Sequence, residues 1–348
     1  MTLLDYLLPF FYHPLWYLAR LLGRVSPLAF YAADPLDYEM FIPIRQHLKR
    51  DVEYIAANSK TARYFKRRRI PFRRYPAFPQ AVIMARHEAY KFPIKQIVKI
   101  GFDHGLYQFK RWTDPRYYNQ FDVYFVSSER QAQTAAEKGI RTVKAIGYPK
   151  LDKAFDGSIT KEDLEKLKKK LGLDSTRPTV IFTSTWDVGG LSALTCWIGR
   201  VGELADRYNI LITVHPWTKA RLLRQLQQIP RTFFLRESDV TPYLMLSDVF
   251  VGDYNSLIGE FCALDKPIIT FRVGQGSSRA LPEVRQMIDD ISVQVDNFDQ
   301  IPRAIERCLR YPDEKRAARQ QANRTLFLKL DGKAGQRAAG EIEKMLSA

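Results

Sequence analysis

The sequence predicts an α/β protein that contains two parallel sheets. Three observations support this fold class. The chain has 348 residues, which suits two domains at about 150 residues each. After residue 30, short β-rich runs alternate with helical runs, as happens when helices cover both faces of a parallel sheet. The alternation breaks once, at residues 150–160, which we interpret as a linker between the domains.

Composition narrows the class of protein. Hydrophobic residues make up 46% and charged residues 26%, which excludes a disordered or collagen-like chain. The net charge of +16 favours an anionic partner, either nucleic acid, a phospholipid surface or a phosphorylated substrate. Three distant cysteines form no disulfide framework, which favours a reduced cytoplasmic compartment. The five histidines lack metal-ligand spacing and no carboxylate cluster is evident, so we expect neither a metal nor a cofactor.

Residues 1–30 are predicted to form an interfacial, membrane-associating segment. The longest stretch without a charged side chain, residues 6–19, is too short to span a bilayer and contains Pro9 and Pro14. Aromatic residues fill it, and Arg20 and Arg24 follow, which suits the headgroup region of a membrane. The alternative is a helix that packs on the core of the protein or on a partner subunit.

A basic region follows at residues 45–75, where eleven Lys or Arg stand against two acids. The candidate anion-binding side chains are Lys66, Arg67, Arg68, Arg69, Arg73 and Arg74. Interleaved aromatic residues are compatible with nucleic acid or with an anionic membrane surface. The neighbouring apolar segment favours the membrane, because two weak signals together make a stable anchor. A solvated helix face is the remaining alternative.

The first domain is predicted at residues 31–150, with strands at 52–56, 81–84, 96–100, 123–126 and 143–146. The second domain is predicted at residues 151–348. It opens with a charged helix at 161–171. Its strands are predicted at 179–183, 210–214, 249–252 and 267–271, and its helices at 192–208, from 218, at 256–264 and from 301. Two such Rossmann-like domains are expected to face a cleft.

Polar residues follow four of these strands, where open α/β sheets bind their ligands. They are His104 and Gly105, Ser184 and Thr185, His215, and the group Asp253, Asn255 and Ser256. An imidazole at a strand end titrates near neutral pH and suits a general base, although it can equally hydrogen-bond the loop backbone.

The last group lies where a helix begins, so Ser256 is either an ordinary cap or a phosphate ligand. One turn later, Glu260 is placed to accept a hydrogen bond from a ribose hydroxyl, unless it is a surface residue. Pro216 holds the backbone of His215 in an extended conformation, and the His215 imidazole suits donation to a phosphate oxygen. Together these residues indicate a nucleoside diphosphate site. The absence of Walker A and GxGxxG sequences argues against a P-loop NTPase and an ordinary Rossmann dehydrogenase.

Several short motifs occur in an order that resembles a known family. They are His104-Gly105, Gly147-Tyr148-Pro149, residues 182–186, His215-Pro216, residues 248–256, Lys266-Pro267 and residues 331–337. Over residues 80–340 the chain resembles the CDP-glycerol glycerophosphotransferases of teichoic-acid and capsule synthesis. The most specific part is the strand that ends in Asp253-Tyr254-Asn255-Ser256, with Lys-Pro ten residues later.

The resemblance implies a GT-B fold, peripheral attachment to the inner face of the cell membrane, and transfer of a polyol phosphate from a CDP-activated donor. Glycerol phosphate is the expected polyol phosphate, a lipid-linked or cell-surface glycan the expected acceptor, and CMP the leaving group. The resemblance also implies that His104 is the base and that His215 contacts the diphosphate. It also assigns donor binding to Asp253, Asn255 and Ser256, and ribose recognition to Glu260. Thr185, Ser184 and Gly105 join the candidate donor site.

Four departures from the family pattern concern the substrates. Asp103 stands where the family usually has Trp, and Leu106-Tyr107 where it usually has Thr-Pro. Asp187 stands where the family often has Arg, and Asn255 where it has Ser. A GT-B sugar transferase or a UDP-sugar 2-epimerase therefore stays open as an alternative that uses the same diphosphate site. A membrane- or nucleic-acid-binding protein with a degenerate GT-B fold is the third interpretation, and nucleic acid is not the partner we expect.

Overall fold

A computed structural model describes residues 3–103, 105–107, 109–111, 113–186, 190–274 and 281–347. The chain divides into two compact units. Unit 1 contains residues 1–152 and 327–348, and unit 2 contains residues 153–326. The first boundary lies beside the expected linker. The second is a difference from the expected domain of residues 151–348, because the last part of the chain returns to unit 1.

Unit 1 is built on a parallel sheet of seven strands. The strands are β1 (Ala29–Ala32), β2 (Glu53–Ala56), β3 (Arg73–Arg74), β4 (Ala81–Met84), β5 (Val98–Phe102), β6 (Val123–Val126) and β7 (Val143–Ala145). Their order across the sheet is β3-β2-β1-β4-β5-β6-β7. The apolar runs at β4 and β6 are buried at every position, as expected of strands covered on both faces.

The helices of unit 1 include a long N-terminal helix. They are α1 (Leu3–Leu21), α2 (Pro35–Arg45), α3 (Ser59–Arg67), α4 (Pro115–Tyr118), α5 (Glu129–Glu137), α6 (Asp152–Phe155), which crosses the unit boundary, and α15 (Ala334–Ser347). One face of α1 belongs to the core: the Tyr12 hydroxyl donates to the carbonyl of Ala77 at 2.6 Å, and the Trp16 indole donates to that of Pro79 at 2.9 Å. Among the described residues, no helix is both long and apolar enough to cross a membrane.

The C-terminal helix α15 joins unit 1 through its first turn. The Asp152 carboxylate accepts from the backbone N–H groups of Ala334 at 3.0 Å and Gly335 at 2.6 Å. Gly335 lies against α2 so closely that a Cβ would clash with the carbonyl of Pro43. Arg337 donates to the carbonyl of Ile146 at 2.8 Å. These contacts assign a structural role to the motif at residues 331–337.

Unit 2 contains a parallel sheet of six strands. The strands are β8 (Thr179–Ser184), β9 (Asn209–Val214), β10 (Thr232–Phe234), β11 (Val249–Gly252), β12 (Ile268–Phe271) and β13 (Ser292–Val295), in the order β10-β9-β8-β11-β12-β13. The helices are α7 (Lys161–Leu171), α8 (Leu194–Trp197), α9 (Ala220–Gln227), α10 (Thr241–Leu246), α11 (Leu257–Ala263), α12 (Pro282–Ile291), α13 (Ile301–Arg310) and α14 (Arg316–Leu326).

One predicted helix is wrong. Residues 192–208 form the single turn of α8 and a 3-10 turn at Val201–Leu204. Gly199 and Gly202 interrupt the segment, and glycine costs about 1 kcal/mol in a helix interior. The apolar residues that suggested a helix, Trp197 among them, are nonetheless buried in the core of unit 2.

Candidate functional site

In each sheet the strand order reverses direction between the first strand and the fourth, at β1 and β4 in unit 1 and at β8 and β11 in unit 2. Ligands of open α/β sheets bind at this point, beyond the carboxyl ends of the strands. In unit 2 the register pairs Phe182 with Val251, so the two strands end side by side. Gly252 permits this approach, because a Cβ there would lie 2.6 Å from Oγ1 of Thr183.

The centre of the unit 2 site is the buried carboxylate of Asp253, directly after β11. Its Oδ2 accepts from the Ser184 hydroxyl at 2.8 Å and from the Ala193 N–H at 2.9 Å. Its Oδ1 accepts from the Thr185 N–H at 2.9 Å and from the Asn255 amide at 3.1 Å. Burial raises the pKa of Asp253, and these hydrogen bonds oppose the shift. Asp253 therefore ties the ends of β8 and β11 to the start of α8.

Ser192 extends this network. The hydroxyl oxygens of Ser184 and Ser192 lie 2.7 Å apart, and either serine can donate this hydrogen bond, because both hydroxyls also lie 3.1 Å from the carbonyl oxygen of Thr185. Ser192 Oγ also accepts from the N–H of Leu194 at 3.2 Å. The loop after β8 is held at both of its described ends.

Asn255 caps α11 in place of Ser256. Its Oδ1 accepts from the Leu257 N–H at 3.0 Å, and its amide donates to Thr183 Oγ1 at 3.1 Å. The Ser256 side chain makes no capping hydrogen bond and is half-buried. α11 has seven residues, so its helix dipole is that of a short helix.

His215 follows β9, the strand beside β8, and belongs to an aromatic cluster with Trp186 and Trp217. Its Nδ1 accepts from the N–H of Trp217 at 3.1 Å. In the neutral imidazole the proton is therefore on Nε2, which is the donor that a phosphate oxygen requires. The rings of Trp186 and Trp217 meet edge to face at 5.0 Å, and Trp217 is 64% exposed. Sequence reasoning missed Trp217, whose position two residues after His215 was its only signal.

Glu260 lies on α11 and is buried, so it is not a surface residue. The candidate base His104 lies outside the described residues. Gly105, the residue after it, is half-buried in unit 1. The structure therefore brings Ser184, Thr185, Asp253 and Asn255 into one hydrogen-bonded cluster, with Ser256 next in the chain.

Tyr254 and Arg285 form a second feature of unit 2 that the sequence did not reveal. The Tyr254 hydroxyl donates to Asp289 of α12 at 2.6 Å. One helical turn earlier, the Arg285 guanidinium lies 5.4 Å from the centre of the Tyr254 ring. Nothing in the α12 sequence distinguishes Arg285 from an ordinary surface arginine.

In unit 1, Asp103 directly follows β5 and is buried. Within the described ranges, both of its carboxyl oxygens lack a hydrogen-bond partner. Burial raises the pKa of Asp103 well above its usual range, and the nearby Tyr124 hydroxyl opposes the shift only in part. Burial therefore disfavours the charged form of the carboxyl at the residue before His104.

The six candidate anion-binding residues are all exposed on unit 1. Two of them pair with acids: Arg68 with Glu39 at 2.9 Å, and Arg73 with Glu53 at 2.6 Å. The charges of Lys66, Arg67, Arg69 and Arg74 have no carboxylate partner in the part of the chain that the structure describes. No group of three or more metal-ligating side chains is found there either.

The two units, each built on a doubly wound parallel sheet, define a GT-B-like fold. A structure of the wall teichoic acid polymerase TagF, obtained after a soak with CDPG, shares this fold. Its TM-score is 0.72 at 15% identity, over 93% of this chain and 90% of that one. The UDP-GlcNAc 2-epimerase of Neisseria meningitidis is also similar, with a TM-score of 0.59 at 12% identity, over 93% of this chain and 100% of that one.

The family follows from the sequence match. The family described as CDP-Glycerol:Poly(glycerophosphate) glycerophosphotransferase matches residues 91–344, so the chain belongs to this enzyme family. The teichoic acid ribitol-phosphate polymerase TarK of Staphylococcus aureus is 26% identical over 160 residues, which is 42% of this chain and 31% of TarK. The chain spans about a third of the length of the curated relatives it matches.

Proposed function

We propose that the protein transfers a polyol phosphate, with glycerol phosphate as the best candidate, from a CDP-activated donor to a hydroxyl of a lipid-linked or cell-surface glycan. The observation that carries this proposal is the Asp253 network, which fixes polar strand ends at the point where the unit 2 sheet reverses its strand order. Family membership adds the CDP-linked donor class.

The reaction is an in-line displacement at phosphorus. The acceptor hydroxyl loses its proton to His104, and its oxygen forms a bond to the distal phosphorus of the donor. The bond from that phosphorus to the bridging oxygen breaks, and CMP leaves. Charge spreads over the phosphate oxygens in such a transition state, so positioned donors supply most of the catalysis. Nε2 of His215 and the hydroxyl of Ser256 are the donors we assign to them, with Thr185 beside them.

Asp253 acts indirectly, by holding the residues of the donor site in position. Its carboxylate is fully buried and occupied by four donors, which makes it a positioning group. Glu260 is assigned to a ribose hydroxyl. Gly105 and Ser184 are assigned to the donor site with Thr185.

We also assign the outer face of α1 and the six exposed basic residues Lys66, Arg67, Arg68, Arg69, Arg73 and Arg74 to the inner surface of the cell membrane. Phe10 is 76% exposed, Phe11 67% and Leu21 84%, although the opposite face of the same helix is anchored in unit 1. Ala77, which binds Tyr12, lies three residues after Arg74, so apolar and cationic groups adjoin. Apolar insertion and attraction to anionic lipid then act together.

The test measures release of CMP and UDP from CDP-glycerol, CDP-ribitol and UDP-N-acetylglucosamine in the presence of membrane extract. We expect CMP from a CDP-polyol, abolished in His104→Ala and reduced in His215→Ala. His47→Ala, at an exposed histidine of unit 1, is the matched control. Release of UDP, or epimerisation of the UDP-sugar, would instead establish the sugar-transferase or epimerase alternative.

A further inference from the structure

The Arg285 guanidinium forms no ion pair with any residue that the structure describes. Its Nε and Nη2 atoms are shielded from solvent and have no hydrogen-bond acceptor within the described residues. Two acids of its own helix accept from other donors: Asp289 accepts from Tyr254, and Asp290 accepts from Gln286 at 2.8 Å. The third acid of that helix, Glu283, is exposed and forms no ion pair with Arg285 within the described ranges. Shielded donors of a charged group that lack an acceptor destabilise the protein, and an anion that reached them would relieve this.

The position of the guanidinium is fixed by Tyr254. The tyrosine ring lies 5.4 Å from the guanidinium carbon, and its hydroxyl is held by Asp289, four residues after Arg285 on the same face of α12. Tyr254 is itself the residue between Asp253 and Asn255. The unsatisfied cation is thus attached to the loop that carries the candidate donor site.

The chemistry of the unsatisfied atoms identifies the anion. The N–H groups of a guanidinium form a planar fork that matches the oxygens of a phosphate. The paired hydrogen bonds of this fork bind a phosphate more strongly and more directionally than the hydrogen bonds of an ammonium group do. Arg272, the other cation that acts on Tyr254, is already paired with Asp296 at 2.9 Å. Arg285 is therefore the cation beside Tyr254 that keeps its hydrogen-bond donors for a ligand.

We propose that Arg285 binds a phosphate group of the nucleoside diphosphate donor, with Tyr254 as the platform that orients its guanidinium. This inference rests on the proposed function, because it assumes that the donor occupies the unit 2 site. It adds a phosphate ligand from α12 to the residues that follow β8, β9 and β11.

Calorimetric titration of the full chain with cytidine, CMP, CDP and CDP-glycerol tests the proposal. Arg285→Gln is expected to weaken binding of the phosphorylated ligands about 10- to 100-fold, since hydrogen bonds to charged groups contribute on that scale. Cytidine affinity should stay unchanged. Arg285→Lys keeps the charge without the fork and should give an intermediate loss. Arg303→Gln, an exposed arginine of α13, is the control, and thermal melts exclude misfolding.

The outcomes separate the two proposals. If the wild-type protein binds CMP and CDP but Arg285→Gln binds them equally well, the role of Arg285 is refuted and the proposed function stands. A uniform loss for all four ligands, cytidine included, would also refute it, because a phosphate contact acts only on phosphorylated ligands. If the wild-type protein binds no cytidine nucleotide at all, the proposed function fails and the Arg285 assignment fails with it.

Discussion

The buried carboxylate of Asp253 offers the sharpest stability test. Asp253→Ala removes the acceptor for two backbone donors, the N–H groups of Thr185 and Ala193. Each buried donor left unsatisfied costs about 1–3 kcal/mol, so the expected loss is roughly 2–6 kcal/mol. Asp253→Asn keeps the shape and one oxygen. Its least costly orientation turns the new NH2 group toward Asn255, with an expected loss of about 1–3 kcal/mol.

Urea unfolding measures the free energy, and amide hydrogen exchange of a peptide from residues 190–198 reports on the Ala193 N–H directly. The matched control is Asp206→Asn, at an exposed acid that pairs with Arg231 and should change stability by less than about 1 kcal/mol. The reasoning is refuted if Asp253→Ala unfolds like the control, or if the peptide exchanges at the wild-type rate while global stability falls.

Three further outcomes are expected. Asp103→Asn should stabilise the protein increasingly as pH rises, because burial raises the pKa of the wild-type carboxyl in the folded state. Wild-type stability then falls by about 1.4 kcal/mol per pH unit between the unfolded and the folded pKa of this group, and the amide of the variant does not titrate. Melting temperatures of the two proteins that change in parallel from pH 5 to pH 8 would contradict this. Replacing Phe11 and Leu21 by Ser should weaken sedimentation with anionic vesicles about 100-fold and leave the melting temperature unchanged, whereas Tyr311→Ser, on unit 2, should bind as the wild type does. Gly335→Val should destabilise unit 1 by more than about 1 kcal/mol, since its Cβ meets backbone of α2; an unchanged urea midpoint would count against that packing.

Strands that are covered on both faces were the most predictable elements. The runs at 81–84, 123–126 and 249–252 coincide with β4, β6 and β11, since full burial leaves a continuous apolar signal. The edge strand β3 was missed, because it consists of two exposed arginines and carries no apolar signal at all. The central strand β1 was missed for another reason: it directly follows the apolar N-terminal segment and merges with it in composition.

The part of the candidate site that directly follows the strands was predictable from the sequence. Ser184, Thr185, Asp253 and Asn255 were chosen because carboxyl ends of parallel strands share one edge of a sheet, and they do form one cluster. Ser192 was not predictable, because its hydroxyl reaches the cluster from a loop with no periodic pattern. Whether these residues bind a donor is a prediction that the titrations above address.

The return of residues 327–348 to unit 1 has a consequence for biosynthesis. Unit 2 is one continuous segment, so its fold requires no residue that is translated after it. Unit 1, although its strands are translated first, has α2 uncovered until α15 arrives. A released chain that lacks the residues after 326 would therefore contain every residue of the second unit but leave α2 of the first unit uncovered.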